Sequence, residues 1–366
     1  MSTTFSSLPI VDLAPLQAAQ GPSDSELKDL STQLHNVFAT TGFAYLVNTP
    51  LTFRHADVFG LALEFFNLPQ EEKMSLAKQS FRKGNTNTYR GYFPTQPEQA
   101  SDNLKEGFEI GSTTSVETRS NPTRDSRFDL SEPNVWPAKD SYPSRQRLEN
   151  FYSELQILSS RLLSLLAMSL GKPADFFDPY LTDSLSTLRL LHYPPGETAA
   201  TTTPSSSNDT YSRDNTTTPP PEPSDPVKLS CTPHTDSGIL TLLHQDSTGG
   251  LEVQDSSGKW VPAPYIPESI VVNIGDLMAK VSGGRFVATM HRVRAPPASA
   301  ISVDKQPDAK MKDADGSRAK FGRFSVPFFF EPGENCVVRA VDDDTGSGIV
   351  YGEHMRAKMK TWVEYN

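Results

Sequence analysis

Two histidines and an aspartate in this chain have the types and spacing to hold a transition metal. His234 and Asp236 stand two residues apart, and His291 follows on a later, β-rich segment. Two imidazoles and one carboxylate on one face of a ferrous ion leave the opposite face open to a co-substrate and to O2, so a triad of this kind would activate oxygen. The pair alone is a weak signal. The chain has 7 His and 44 Asp plus Glu in 366 residues, and His-x-Asp occurs at His55/Asp57, His234/Asp236 and His244/Asp246. Local backbone has to choose among them.

Around His55, residues Phe53, Ala56, Phe59, Leu63 and Phe66 recur at helical spacing. Side chains two apart on a helix diverge, so His55 and Asp57 are expected to be structural, with His55 a surface or half-buried helix residue. Pro233 biases the chain before His234 toward extended backbone, and Gly238 opens a β-rich run. In extended backbone, residues two apart share a face, so His234 and Asp236 can converge on one ion. His244/Asp246 reads as a strand end running into the turn Ser247-Thr-Gly-Gly250, a weaker candidate. For a third ligand, Ser269–Gly275 is a β-branched run, Val281-Ser-Gly-Gly284 a turn, and Arg285–Val293 the returning strand. On that strand His291 is either a ligand or a packed core histidine.

The elements that would position these groups fall into two parts. Residues 1–120 form a helical and mixed N-terminal region. It includes a helix over Glu26–Thr40, for which Ser23 and Glu26 offer a capping box. Residues 121–366 form the core, entered by a helix over about 146–170. There Leu148, Phe151, Tyr152, Leu155, Leu158, Leu162, Leu165 and Leu166 make one apolar stripe, and Gly171 stops the helix. From Leu185 onward short strands and turns dominate, the pattern of a double-layered jelly roll. The expected whole is one α+β domain, a distorted double-stranded β-helix supported by N-terminal helices. Residues 196–226, dominated by Thr, Ser, Pro and Asn, cannot bury a core and read as a loop, either a lid over the site or a passive insertion. Asp342–Asp344 precedes Thr-Gly-Ser-Gly and reads as a turn, not a second metal site.

A net charge of -10 and a pI near 5.2 argue against a partner with a phosphate backbone. Cys231 and Cys336 are the only cysteines, so no disulfide framework exists, and Cys231 is expected to be a small buried hydrophobe. The N-terminus has neither the basic start nor the apolar run of a signal peptide, and no stretch is apolar enough to span a membrane. A cytoplasmic enzyme with a small-molecule substrate, and without nucleic-acid or membrane partners, is the expectation.

A series of blocks in fixed order adds a resemblance. Leu8-Pro-Ile-Val-Asp-Leu13, Thr41–Asn48, Phe65–Met74, Tyr89-Arg-Gly-Tyr92, Lys105–Ile110, Leu188–Pro195, His234-Thr-Asp236, Gly250–Gln254, Val271–Asp276, His291-Arg-Val293 and Arg323-Phe-Ser325 together resemble the isopenicillin-N-synthase-like family of Fe(II)- and 2-oxoglutarate-dependent dioxygenases. The resemblance implies that His234, Asp236 and His291 are the iron ligands. It implies that Arg323 grips the distal carboxylate of 2-oxoglutarate with its planar fork, and that Ser325 and Tyr193 hydrogen-bond the same group. By motif position Phe329 and Glu331 fall where some relatives contact substrate, and Phe108 and Ile110 lie in a block near the pocket mouth, so all four are candidate substrate contacts. Phe324 and Phe328–Phe330 suggest that Arg323 is buried, and a buried arginine wants an anion. Arg292 should point away from the site into an ion pair.

Two departures stand out. Leu191-His-Tyr-Pro194 replaces an Asn-x-Tyr-Pro pattern and leaves His192 as an expected outward-facing residue. The His291–Arg323 interval is long, which Ser299–Lys320, rich in Lys, Asp and Ala, explains as an inserted loop; this favours Arg323 over Arg318. The reaction implied by the resemblance is hydroxylation of a small organic molecule of the secondary-metabolite class, with 2-oxoglutarate converted to succinate and CO2. Desaturation and cyclisation are variants of it. The rivals are an Fe(II) oxidase of the same fold that uses no 2-oxoglutarate, and a non-catalytic small-molecule-binding protein.

Overall fold

The computed structural model describes residues 3–96, 104–113, 128–194, 229–295 and 322–360, apart from 344 and 347. The stretches 196–226 and 299–320, Arg318 included, lie outside the described residues. In chain order the elements are β1 (Ile10–Asp12), α1 (Asp24–Thr40), β2 (Phe43–Val47), α2 (His55–Phe66), α3 (Gln70–Ser75), β3 (Gly91–Phe93) and β4 (Glu106–Ile110). There follow α4 (Arg145–Ser169), α5 (Asp178–Leu181), β5 (Thr187–Tyr193), β6 (Leu229–His234), β7 (Leu240–Gln245), β8 (Leu251–Gln254) and β9 (Trp260–Pro262). The last are β10 (Ile270–Ile274), α6 (Asp276–Val281), β11 (His291–Arg294), β12 (Arg323–Phe330), β13 (Val337–Val338), β14 (Ile349–Val350) and α7 (Tyr351–Met359).

Eight strands form one sheet in the order β1-β2-β10-β7-β12-β5-β4-β3, and four form a second, β6-β11-β8-β9. Helices cover the outer face of the large sheet, and strand alternation explains how. On β12, Phe324, Val326, Phe328 and Phe330 join the core built with α1, α2 and α4, as do Leu188 and Leu190 of β5 and Phe108 and Ile110 of β4. Alternate residues therefore face the other way, toward the small sheet. At one end of that space Phe43, Tyr45, Leu251, Val253, Val271 and Val293 close a second apolar core. At the other end the inward residues are polar, and the site lies there.

The helices follow their sequence signals closely. Ser23 accepts from the Glu26 backbone N–H while the Glu26 carboxylate accepts from Ser23, so the capping box starts α1 at Asp24. The whole apolar stripe of α4 is buried, and Gly171 just beyond it takes φ +73°, a backbone that favours glycine. One expectation fails. Ser269–Gly275 and Arg285–Val293 are not adjacent strands: β10 belongs to the large sheet, β11 to the small one, and α6 lies between them. Leu277, Met278 and Val281 bury one face of that short helix. Strand pairing then begins only at His291. The preceding residues are held by scattered bonds, such as Val287 N–H to the Phe38 carbonyl and the Thr289 hydroxyl to the Thr41 carbonyl.

Candidate metal centre and adjoining cavity

His234 closes β6 and His291 opens β11, and the two are direct partners across the ladder, which brings their rings to 4.2 Å between centroids. Asp236 Oδ1 lies 3.9 Å from His234 Nε2 and 3.7 Å from His291 Nε2. One ligand atom from each residue lies within 4.8 Å of the others, the only such His/Cys/Asp/Glu group of three or more among the described residues. The remaining polar atoms are already committed. His234 Nδ1 lies 2.8 Å from the Thr232 carbonyl and His291 Nδ1 3.2 Å from the Thr289 carbonyl, contacts that place the proton on Nδ1 and leave both Nε2 lone pairs facing Asp236.

The large sheet fixes the carboxylate. Asp236 Oδ2 accepts from the Thr241 hydroxyl at 2.6 Å and from Asn273 Nδ2 at 2.8 Å, and Thr241 and Asn273 are themselves cross-strand partners on β7 and β10. Only Oδ1 is left toward the imidazoles. Burial pushes this carboxyl up, but the charge that the His291 and His234 rings carry when protonated, together with the Asn273 and Thr241 hydrogen bonds, outweighs it and holds Asp236 below the usual range. Behind it, a Cβ at Gly275 would collide with the Gly238 carbonyl, so that position admits only glycine in this packing. Thr241 and Asn273 were not singled out from the sequence. Their signal was there: polar residues at inward positions of otherwise apolar strands.

The other two His-x-Asp pairs do not converge. His55 is fully buried rather than surface-lying or half-buried, with Nε2 2.8 Å from the Ser269 carbonyl and Nδ1 3.2 Å from the Tyr265 hydroxyl. Its neighbour Asp57 turns instead to the Arg54 N–H and to Arg147. His244 packs on the helix side against Phe151 and His55, and burial lowers its pKa to about 3. Asp246 goes elsewhere, accepting from the Phe324 and Thr248 N–H groups.

Arg323, Ser325 and Tyr193 form a buried cluster on the inward face of β12 and β5, where Arg323 pairs with Tyr193 across the ladder. The Arg323 guanidinium lies over the Tyr193 ring at 4.7 Å and donates through Nε to the Gly249 carbonyl at 2.7 Å. Arg323 is 1 % exposed, and its Nη1 has no partner among the described residues. A buried guanidinium nitrogen without an acceptor is destabilising by about 1–3 kcal/mol or more, so this cluster fits the carboxylate of an incoming anion. Arg292 points away, as expected, bonding Glu252 at 2.7 Å and stacking on Trp260.

A cavity of about 280 Å³ opens beside the triad. Phe329 and Glu331 line it, together with Glu109, Arg189, Thr187, Cys231, Thr232 and the run His234–Gly238. Phe108 and Ile110 do not. Both are core residues on the helix side of β4, with Phe108 stacked on Phe65 at 4.1 Å, and the alternation presents Glu109 to the cavity instead. The expectation for β4 was therefore one residue out of phase. Phe108→Ala is expected to lower unfolding stability by about 3–5 kcal/mol in urea titrations, while a true cavity contact would change ligand affinity at nearly constant stability.

His192 likewise faces the helices instead of solvent, with Nδ1 2.7 Å from Glu106 and its ring stacked on Phe324. Lys73 pairs with the same Glu106 at 2.9 Å, which makes the buried carboxylate tolerable. Cys231 is more polar than expected: its Sγ lies 3.8 Å from His234 Nδ1, behind the ring, and 3.7 Å from Lys105 Nζ.

Glu331, on the cavity wall, carries a carboxyl of raised pKa. Burial raises it to about 7, with Glu109 adding to the shift and Arg90 and Arg189 opposing it. The neighbouring Tyr351 hydroxyl donates to this carboxyl and also opposes the shift. A folded pKa raised above the unfolded 4.5 means stability that is full below pH 4.5 and is lost as pH rises toward 7. Relative to Glu331→Gln, the wild type is expected to lose on the order of 3 kcal/mol across that window, read as the pH dependence of the difference in urea midpoints. Parallel curves would show that this carboxyl is not perturbed.

Comparison with known proteins agrees with this geometry. Residues 209–332 match the 2OG-Fe(II) oxygenase superfamily, and residues 8–139 match the family described as non-haem dioxygenase in morphine synthesis, N-terminal. The chain is 31% identical to clavatol oxidase of Penicillium crustosum, over 78% of this chain and 80% of that one. It is 29% identical to a homoarginine-6-hydroxylase of Oryza sativa subsp. japonica, over 99% of both. Among solved structures, a full-length Neurospora crassa protein in complex with alpha-KG and 5-formyluracil superposes with a TM-score of 0.67 at 25% identity, over 96% of this chain and 95% of that one.

Proposed function

Because the chain belongs to the 2OG-Fe(II) oxygenase superfamily, we propose that His234, Asp236 and His291 bind its iron, that Arg323, Ser325 and Tyr193 hold 2-oxoglutarate, and that a small organic substrate occupies the adjoining cavity. The protein is a non-haem Fe(II)- and 2-oxoglutarate-dependent dioxygenase. Iron, 2-oxoglutarate and O2 together supply the oxidising chemistry that hydroxylates a C–H bond with release of succinate and CO2. The chain's own residues bind and orient. Two Nδ1-anchored imidazoles and a carboxylate pinned through Oδ2 hold their remaining donor atoms in place before any ion arrives, so little is left to reorganise on binding. That convergence is the observation that carries the assignment.

The co-substrate reading is supported by the unpartnered Arg323 Nη1, which favours 2-oxoglutarate over an oxidase that leaves this guanidinium unused. Within the cavity, Phe329 offers an apolar face and Glu331 a buried carboxyl, a combination suited to a small molecule carrying a hydrogen-bond donor. The names of the relatives support secondary-metabolite or amino-acid-like substrates without singling one out. Action in the cytoplasm is the accompanying proposal, supported by two free cysteines and the acidic charge.

The test is a screen of candidate metabolites for stimulated O2 uptake and stoichiometric succinate formation with Fe(II). Stimulation by at least one compound is expected. Absence of iron binding by the wild-type protein, with no stimulation by any compound, would sink the assignment, and turnover without succinate would restore the oxidase reading.

A further inference from the structure

Asp246 was singled out by its spacing from His244 and then left without a function, yet it is 0 % exposed and every bond it makes converges on the base of Arg323. Its carboxylate accepts from the Phe324 N–H through Oδ2 at 2.5 Å and from the Thr248 N–H through Oδ1 at 3.0 Å. Its own backbone N–H donates to the Phe324 carbonyl, and its carbonyl accepts from Gly249 N–H at 3.2 Å. One side chain thus fastens the turn 246–249 to the residue that follows Arg323. That turn presents the Gly249 carbonyl to Arg323 Nε. Gly249 takes φ +69°, so this turn conformation favours glycine at the position that supplies the acceptor.

A guanidinium has a rigid planar fork, so fixing Nε by one acceptor and the ring plane by Tyr193 sets where Nη1 and Nη2 point. With Nε bonded and Nη1 unpartnered, the fork's open edge is the one left for a carboxylate. We propose that Asp246 is the positioning residue for Arg323: by tying the Gly249 turn to β12 it aims the guanidinium at the far carboxylate of 2-oxoglutarate, and so determines the preference for a dicarboxylic over a monocarboxylic 2-oxo acid. This assignment rests on Arg323 being the co-substrate clamp.

The experiment compares two co-substrates that differ only at the far end, 2-oxoglutarate and 2-oxobutyrate, by calorimetry on the Mn(II)-loaded full-length protein. Four proteins are used: wild type, Asp246→Asn, Arg323→Leu and the double variant. Asn keeps one acceptor but presents an amide N–H2 where the second bond was. The expected result is that Asp246→Asn weakens 2-oxoglutarate about tenfold, the lower end for loss of a group that orients a ligand-binding residue. Its 2-oxobutyrate affinity stays within about twofold of wild type, and the substitution has no further effect once Arg323 is Leu.

Unchanged 2-oxoglutarate affinity in Asp246→Asn, with the preference lost in Arg323→Leu, would overturn the positioning role and leave the clamp intact. Equal weakening of both acids, or a full effect in the Arg323→Leu background, would also overturn it and make Asp246 a residue of the general fold. A preference that survives Arg323→Leu would remove the clamp itself and the proposal with it. Should Asp246→Asn not fold, Asp246→Ser takes its place, since the hydroxyl can still accept within the turn but is too short to reach β12. Failure of both to fold would likewise assign Asp246 to the scaffold.

Discussion

Asp236→Ala is expected to weaken Fe(II) binding by well over about 100-fold and to abolish turnover while leaving the fold in place. The bound comes from comparison: loss of a group that merely orients a metal ligand typically weakens the metal by about 10–100-fold, and loss of the ligand must exceed that. The same geometry predicts the milder series. Thr241→Val and Asn273→Leu each remove one of the two bonds to Asp236 Oδ2 and should fall within the 10–100-fold range, because the carboxylate remains but can swing away from the imidazoles. Anaerobic titration of Fe(II) followed by calorimetry separates the two grades. If Asp236→Ala bound iron as tightly as Asn273→Leu does, Asp236 would be a supporting group and another residue would have to be the carboxylate ligand.

Arg323→Leu carries the second large effect. Truncating one member of a buried, hydrogen-bonded charge pair typically costs about 2–5 kcal/mol, so the dissociation constant of 2-oxoglutarate should rise by about 30-fold to several thousandfold. Arg323→Lys should fall between, because it keeps the charge and loses the planar fork. A thermal readout makes the sign visible. Saturating 2-oxoglutarate with Mn(II) should raise the melting temperature of the wild type, since a ligand that binds only the folded state adds stability by mass action, and should do so far less for the Leu variant. The ligand-free Leu variant loses the Nε bond to the Gly249 carbonyl along with a guanidinium nitrogen that has no partner among the described residues, so the ligand-induced shift, and not the starting melting temperature, is the quantity compared. Equal ligand-induced shifts in both proteins would show that the far carboxylate is held elsewhere.

How much of this could be read without coordinates depended on which physical signal each residue sent. Helix α4 was legible because its stripe repeats over many turns and Gly171 marks its end. His234 and Asp236 were legible because extended backbone puts residues two apart on one face, and although β6 ends at His234 the two side chains still converge. The segment Asp276–Val281 was not, because a six-residue helix between two apolar runs gives too few turns to distinguish its period from a strand's. Phe108 and Ile110 were placed on the wrong face for a related reason. In a strand buried on both sides, Glu106–Ile110, every position is inaccessible, so burial no longer reveals phase, and only the partners Glu109 finds in Lys78 and Arg189 show which face is polar. His192 escaped for want of its partner: Glu106 lies 86 residues away in sequence. Long-range polar pairing leaves no local trace.

The ladder that brings His234 and His291 together has a further consequence. β6 is the edge strand of its sheet, with β11 as its single neighbour and register shifts along the pairing. Its last residue, His234, faces an aspartate whose other oxygen is fastened to β7 and β10 of the opposite sheet. An ion bound there would therefore act as a clasp across the seam between the layers, closing the open end of the roll as a button closes a cuff. The iron would then be a structural tie as well as a chemical centre, adding stability by mass action to the end of an edge strand whose ligand atoms already stand in place before it binds.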